Sequence, residues 1–185
     1  MRKINAILGP LMIILLLIHV VSGGMQLWGM IPGGSVIRSI LSWALLTVVA
    51  VHAFIGIKLT IDTIIACKRA GTSCFRNNEV FWTGRISGAA LIILIVYHVL
   101  FFSGSGGDTV RLEGFYAFQL AAHILLALAL IIHLCVNIKP LFIALGIANR
   151  KFVRDIMIVL AIVVLACATG FIVYYLRCNV FWRYG

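Results

Sequence analysis

The sequence predicts an all-α integral membrane protein, a single membrane domain of five transmembrane helices. Of the 185 residues, 63% are hydrophobic and 11% are charged, whereas a soluble domain is about half apolar and about a quarter charged. Five apolar stretches reach the length of roughly 17–25 residues with which a helix crosses the hydrocarbon core. Because these stretches do not alternate apolar and polar residues, they indicate helices and not the strands of a membrane barrel.

The apolar stretches give approximate bounds for the helices. We expect them at residues 4–21, 36–66, 86–102, 115–147 and 153–176. The first stretch begins with the charged MRK, as a secretory signal peptide does, but no A-x-A-like cleavage site follows it. It also carries a histidine and glycines suited to helix packing, and we therefore count it as a span.

Lysine and arginine are unevenly divided between the two sides that these spans create. Those on the side of the N-terminus are Arg2, Lys3, Lys58, Lys68, Arg69, Arg76, Arg85, Lys139, Arg150, Lys151 and Arg154. Only Arg38, Arg111, Arg177 and Arg183 lie opposite. The positive-inside rule then predicts a multi-pass protein of the cell membrane with its N-terminus in the cytoplasm and its C-terminus on the outer side. The net charge of +10 follows from this topology and from contact with anionic lipid, and it requires no nucleic acid.

Two of the five cysteines share the connector CKRAGTSC between the second and third helices. Their predicted position in the cytoplasm indicates that Cys67 and Cys74 are reduced thiols. Their spacing is not typical of a zinc or iron–sulfur site.

Histidines mark an internal repeat of a two-helix unit. The first and third spans end as LLLIHVVSGG and LIVYHVLFFSGSGG, each with a histidine before a Ser/Gly-rich segment. The second and fourth contain VHAFIGIK and IHLCVNIK, each with a lysine six residues after the histidine. The helical rise places His19 and His98 roughly 20–24 Å from the N-terminal side. If the lysines mark the interface, His52 and His133 lie roughly 9 Å inside it.

Four histidines at two matched depths favour a ligand that takes two imidazoles. Bis-histidine ligation of b-type haem fits, because the apolar macrocycle fills space between helices and the iron bonds the buried imidazoles. We therefore predict two haems, one held by His19 and His98 and the other by His52 and His133. The alternative is structural histidines that bond to backbone or Ser/Thr of neighbouring helices. His123 could compete for the outer haem, but the repeat and the lysine spacing select His133.

These residues resemble the dihaem cytochrome b anchor of the succinate dehydrogenase and fumarate reductase family. RISGAALIILIVYHV, at 85–99, is similar to the third helix of that family. There an Arg-x-Ser/Thr-Gly motif begins the helix, and a haem histidine follows ten residues after the glycine. HAFIGI resembles the second helix, and HLCVNIKPLFIALGI resembles the fourth. The resemblance implies two haem b groups in a bundle formed by the first four helices. Gly56, one helical turn after His52, is expected to leave room for the porphyrin or for the fourth helix.

The resemblance also implies partners and a substrate. A flavoprotein and an iron–sulfur subunit would dock on the cytoplasmic face, at a basic surface built by Lys68, Arg69, Arg76, Arg85, Arg150 and Arg154. Electrons would pass through both haems between these subunits and a quinone, expected to be menaquinone, near the outer side. Candidate quinone residues on that side are Gln26, Trp28, Arg38, Asp108, Arg111 and Glu113.

Other functions are compatible with parts of the pattern. The chain could be the quinone-reactive cytochrome b anchor of a hydrogenase or formate dehydrogenase, or a haem-free structural membrane subunit. A channel or transporter is disfavoured because Asp62, Glu79 and Asp155 all lie near the predicted cytoplasmic edge. No nucleophile–base constellation or phosphate-binding loop indicates an independent catalytic site, so participation in catalysis would be as an oxidoreductase subunit.

Overall fold

The protein is all-helical in the part of the chain that the computed structural model describes, residues 2–74, 78–103 and 115–181. Five of its helices are long and apolar enough to cross a membrane, so the predicted multi-pass, all-α class is confirmed. The helices are α1 Arg2–Trp28, α2 Val36–Arg69, α3 Glu79–Ser103, α4 Ala117–Ala144 and α5 Arg150–Leu176, followed by a short π-helix at Arg177–Phe181.

The first helix continues well beyond its predicted end at residue 21. Gly23 and Gly24 remain helical, and the helix stops at Gly29, whose φ of 79° suits a glycine. The amides of Gly29 and Met30 close this end by bonding to the carbonyls of Gln26 and Met25, each at 2.9 Å. Glycine therefore ends this helix only where the backbone takes a left-handed conformation.

The other helix ends also have local causes. The third helix begins at Glu79 and not near 86, with an acidic side chain in its first turn, where the helix dipole favours negative charge. The fourth stops at Ala144 before Gly146, which has a φ of 81°. The fifth begins three residues earlier than predicted because Asn149 caps it, accepting hydrogen bonds from the amides of Lys151 and Phe152 at 3.1 Å.

The helices pack as two hairpins joined by α5. Within the hairpins, α1 packs on α2 and α3 packs on α4, and α5 packs closely on both α1 and α4. By contrast, α2 and α3 approach each other at few points, and so do α1 and α4. A cleft therefore separates the two hairpins, and the site described below lies in it.

The apolar core lies on the side of α5. Ile138 of α4 and Val153 and Leu160 of α5 are buried together. Close approach of α1 and α5 depends on small residues: a Cβ on Gly24 would lie 2.9 Å from Cys167 Cβ, and one on Gly170 would lie 3.0 Å from Leu27 Cβ. The outward faces of α2 and α3 expose large apolar side chains, as is typical of surfaces that meet lipid.

The prediction of free thiols in the α2–α3 connector is not what the structure shows. Cys67 and Cys74 form a disulfide, which we call the connector disulfide. The chain leaves α2 and turns back at Gly71, so the two Cα atoms come within 5.6 Å, inside the range that a disulfide spans. The indole of Trp82 in α3 donates a 2.9 Å hydrogen bond to the carbonyl of Cys74, which ties the connector to the next helix.

Candidate functional site

Four histidines project from the four hairpin helices into the cleft as two pairs. The rings of His19 on α1 and His98 on α3 have centroids 6.0 Å apart with their planes at 81°. The rings of His52 on α2 and His133 on α4 have centroids 6.3 Å apart with their planes at 89°. The structure thus brings together the same pairs that the repeat and the depth estimate select. We call the first pair the outer pair and the second the inner pair.

The spacing of each pair suits one metal ion between two imidazoles. A nitrogen ligand binds zinc at about 2.0–2.1 Å, and a five-membered ring with C–N bonds near 1.33 Å places its nitrogen about 1.1 Å from the centroid. Two imidazoles on opposite sides of one metal would then have centroids about 6.4 Å apart. Direct edge-to-face contact between aromatic rings covers the same range, about 4.5–7 Å, so spacing alone does not decide between the two.

A serine on a neighbouring helix orients one histidine of the outer pair. The Ser42 hydroxyl lies 3.0 Å from His19 Nδ1 and donates to the carbonyl of Arg38 at 2.9 Å. Since a hydroxyl has only one hydrogen to give, its oxygen accepts from His19 Nδ1–H. This tautomer leaves the lone pair on Nε2, the nitrogen that is free to bind a metal.

The inner pair has the same arrangement on the other hairpin. The Ser87 hydroxyl lies 3.1 Å from His133 Nδ1 and donates to the carbonyl of Gly84 at 3.2 Å. The Asn137 amide, which donates to the carbonyl of His133 at 2.8 Å, also lies 3.4 Å from this Nδ1. Gly88 leaves room for the ring of His133, since a Cβ at residue 88 would lie 3.2 Å from His133 Cε1.

The second histidine of each pair lacks a polar partner. Within the described part of the chain, the Nδ1 atoms of His52 and His98 are buried and have no hydrogen bond. An unsatisfied buried polar group costs about 1–3 kcal/mol. Since a ring flip exchanges ring nitrogen and carbon positions without changing the ring's shape, either nitrogen of these two histidines could face a bound metal.

A cavity of about 240 Å³ adjoins the inner pair on the side where α1 begins, which we call the N-terminal side. Its wall includes both inner histidines and three polar residues, Asn5, Arg85 and Asn137. The Asn5 Oδ1 is buried without a partner among the described residues. The cavity is therefore a polar extension of the inner pair's site and not a purely apolar packing defect.

Gly56 faces α3 and not α4. The nearest side-chain atom to a Cβ at Gly56 would be Arg85 Nη1, at 3.4 Å, and this nitrogen donates a 3.2 Å hydrogen bond to the Gly56 carbonyl. Arg85 was predicted to belong to the basic docking surface, but the structure directs it into the cleft. Arg76 of that surface lies outside the described residues, whereas Lys68, Arg69, Arg150 and Arg154 are exposed at the N-terminal side.

His123 lies beside the outer pair without facing His19. It is 1% exposed, and its ring centroid is 5.3 Å from that of His98 and 4.7 Å from that of Phe171. Its Nδ1 donates to the Gln119 carbonyl at 2.7 Å, while its Nε2 is buried and has no partner in the described part of the chain. The aromatic residues around it make it a packed neighbour of the outer pair.

The candidate quinone residues do not form one cluster. With its amide oriented so that the oxygen faces α2, Gln26 accepts from Arg38 at 2.9 and 3.2 Å. Trp28 points instead towards α5, where it lies 3.2 Å from the position of a Cβ on Gly170. Asp108, Arg111 and Glu113 lie outside the described residues. Gln26 and Arg38 are thus the two candidates that the structure brings together.

Sequence reasoning missed the two serines and misplaced Arg85. Ser42 and Ser87 are isolated polar residues in apolar spans, and such residues commonly bond the carbonyl one turn earlier, which gave no reason to single them out. No three His, Cys, Asp or Glu side chains converge in the described ranges as a zinc site would require. Comparisons with protein-family models, curated proteins and solved structures find no match to this chain.

Proposed function

We propose that the protein is a dihaem b-type cytochrome that anchors a succinate dehydrogenase or fumarate reductase type complex to the membrane. In this proposal it transfers electrons between the iron–sulfur subunit and a membrane quinone, expected to be menaquinone. The observation that carries the proposal is the cleft, which holds two histidine pairs at 6.0 and 6.3 Å from four different helices.

The donor set fits haem better than structural histidines. A structural role would leave the buried Nδ1 atoms of His52 and His98 without any partner in the described chain, a cost of about 1–3 kcal/mol for each. A metal would remove that cost only by bonding Nδ1 itself, so the ring spacing and the gap between the hairpins carry the argument. The wide spacing of α2 from α3 and of α1 from α4 also supports a planar group inserted between the hairpins, where haem is held in helical proteins.

Each part of the chain has a defined task in this function. His19 and His98 would hold the outer haem, and His52 and His133 would hold the inner one. Bound haem supplies a one-electron redox centre whose potential depends on its axial ligands, their hydrogen bonds and its burial. Ser42 and Ser87 hold one imidazole of each pair in the Nδ1–H tautomer.

The proposed orientation places the N-terminal side in the cytoplasm and the C-terminus on the outer side of the cell membrane. The exposed cations Lys68, Arg69, Arg150 and Arg154 support docking of an acidic iron–sulfur subunit there, with a flavoprotein beyond it. On the opposite side, the paired Gln26 and Arg38 supply hydrogen-bond donors that suit a quinone carbonyl.

A second candidate is the quinone-reactive cytochrome b anchor of a hydrogenase or formate dehydrogenase. The same histidine pairs would serve it, and only the soluble partner would differ. Affinity purification from mild detergent tests this choice: co-purification of a covalent-flavin dehydrogenase supports the proposed family, whereas a hydrogenase or formate dehydrogenase supports the alternative.

Haem content tests the proposal most directly. The protein purified from haem-replete cells should give a reduced-minus-oxidised spectrum of b-type haem, with about two haems per chain because bis-histidine ligation uses two imidazoles for each. Pyridine haemochrome analysis against protein concentration gives the ratio. A folded, haem-free preparation would refute the proposal and favour a structural membrane subunit.

A further inference from the structure

Arg85 is a half-buried charged residue whose partners among the described residues are all neutral. Its Nη1 donates to the carbonyl of Gly56, and its Cζ lies 4.8 Å from the centre of the Phe81 ring. The Gly56 carbonyl belongs to α2, so the side chain crosses the gap between α3 and α2. It therefore does not extend along α3 towards the lipid headgroups, as a snorkelling arginine would.

The charge of Arg85 has no protein counterion in the described ranges. The ion pair found there joins Arg154 and Asp155 at the surface. A guanidinium has five N–H donors, and one bond to a carbonyl uses only one of them. Ionisable side chains within membrane spans are costly and are usually paired. Among the described residues, the positive charge of Arg85 is therefore not balanced by a negative group.

Arg85 is also part of the wall of the cavity beside the inner pair. Arg85 lines this cavity together with His52 and His133. It is hydrogen-bonded at the level of Gly56, one helical turn to the N-terminal side of His52. Asn137 and Asn5 add polar groups to the same wall. An occupant held by the two histidines would therefore meet a cation next to its N-terminal edge.

We propose that Arg85 binds a carboxylate of the group held by the inner pair. This rests on the proposed function: there the carboxylate is a propionate of the inner haem, which the guanidinium would hold by charge-assisted hydrogen bonds. Lipid phosphate offers similar anion chemistry, and the experiment below separates the two sources.

Haem dimethyl ester provides the probe, because it keeps the macrocycle and iron but lacks free carboxylates. The full chain, produced in haem-deficient cells and purified in detergent, would be titrated with haem and with the ester. For the wild type we expect the inner site to prefer haem on the order of ten- to a hundred-fold, as expected for a hydrogen bond to a charged group. Arg85→Gln should abolish this preference, and Arg85→Lys should keep part of it.

A second readout is the midpoint potential of the inner haem. Removing a nearby cation disfavours the more electron-rich reduced state, so Arg85→Gln should lower this potential, whereas the control Lys58→Gln should leave both readouts unchanged. Lys58 is exposed on α2 and tests for a general effect of charge. Outer-site binding in each variant reports folding.

Three results would overturn the inference. One is equal affinity of the wild-type inner site for haem and its ester, and another is an unchanged preference in Arg85→Gln. The third is loss of co-purified anionic lipid from Arg85→Gln while its haem preference stays intact, which would assign the arginine to lipid phosphate. Failure of the wild type to bind haem at all would instead refute the proposed function, and this inference with it.

Discussion

In the proposed dihaem protein, removing the hydroxyl of Ser42 or Ser87 should weaken the binding of one haem and leave that of the other unchanged. Ser42→Ala removes the acceptor that lies 3.0 Å from His19 Nδ1, and Ser87→Ala removes the one 3.1 Å from His133 Nδ1. Loss of a hydrogen-bonding partner behind a metal ligand usually lowers affinity about 10–100-fold, or about 1.4–2.7 kcal/mol. We expect Ser42→Ala to reach this range.

The effect of Ser87→Ala should be smaller. Asn137 lies 3.4 Å from the same His133 Nδ1, so rotation of its amide would present an oxygen that can replace the hydroxyl. Comparing Ser87→Ala with Ser87→Ala/Asn137→Leu separates the contributions of Ser87 and Asn137 to the affinity for the inner haem. We expect the double variant to lose more affinity for the inner haem than Ser87→Ala does, but less than Ser42→Ala loses for the outer one, because the Gly84 carbonyl also accepts from His133.

The assay is the rate at which each haem passes to an excess of a haem-scavenging protein, followed by absorbance. Ser22→Ala is the matched control, because among the described residues the Ser22 hydroxyl donates to carbonyls of its own helix alone. Circular dichroism would check that helix content is retained. The tautomer argument fails if Ser42→Ala releases haem no faster than Ser22→Ala, or if it destabilises the inner haem.

Three further predictions follow from other contacts. His133→Ala should remove the inner haem, whereas His123→Leu should leave both haems in the difference spectrum; loss of a haem from the second variant alone would reverse the ligand assignment. Gly24→Ala should lower the free energy of unfolding by about 1–3 kcal/mol through overpacking against α5. Gly23→Ala should leave it unchanged, because a Cβ at Gly23 would meet nothing within 4 Å. After treatment with a membrane-impermeant reductant, the cysteines of the connector disulfide should react with an impermeant maleimide only in permeabilised cells. Peptide mapping would identify the labelled cysteines, and labelling in intact cells would show that the orientation is the reverse of the proposed one.

The sequence was sufficient to predict the all-α membrane class, because the length of an apolar stretch can be read from that segment alone. It also anticipated which histidines meet, because two similar units place His19 level with His98 and His52 level with His133, and a bundle brings equal depths together. Helix ends were less predictable. The first helix was expected to end at residue 21, before Gly24, but it continues to Trp28, and Gly24 packs closely against Cys167 of α5.

Residues that act across helices could not be assigned from their own segment. Arg85 follows a short connector, and its position in the chain suited an exposed basic surface equally well. Only the spacing of α2 from α3 lets its side chain reach the Gly56 carbonyl. The roles of the serines likewise depend on the position of a neighbouring helix, since Ser42 and His19 are 23 residues apart in the sequence.

The connector disulfide and the distribution of cations lead to opposite conclusions about the N-terminal side. Disulfides are rare in the cytoplasm, whereas eleven of fifteen lysines and arginines favour a cytoplasmic location. A disulfide closing so short a loop stabilises by about 2–3 kcal/mol at most, and reduction removes that contribution without moving any helix across the membrane. Each cation near an anionic cytoplasmic leaflet contributes about 1 kcal/mol, and inversion would forfeit many of these at once. The charges should therefore set the orientation, because the connector disulfide contributes too little stability to reverse it.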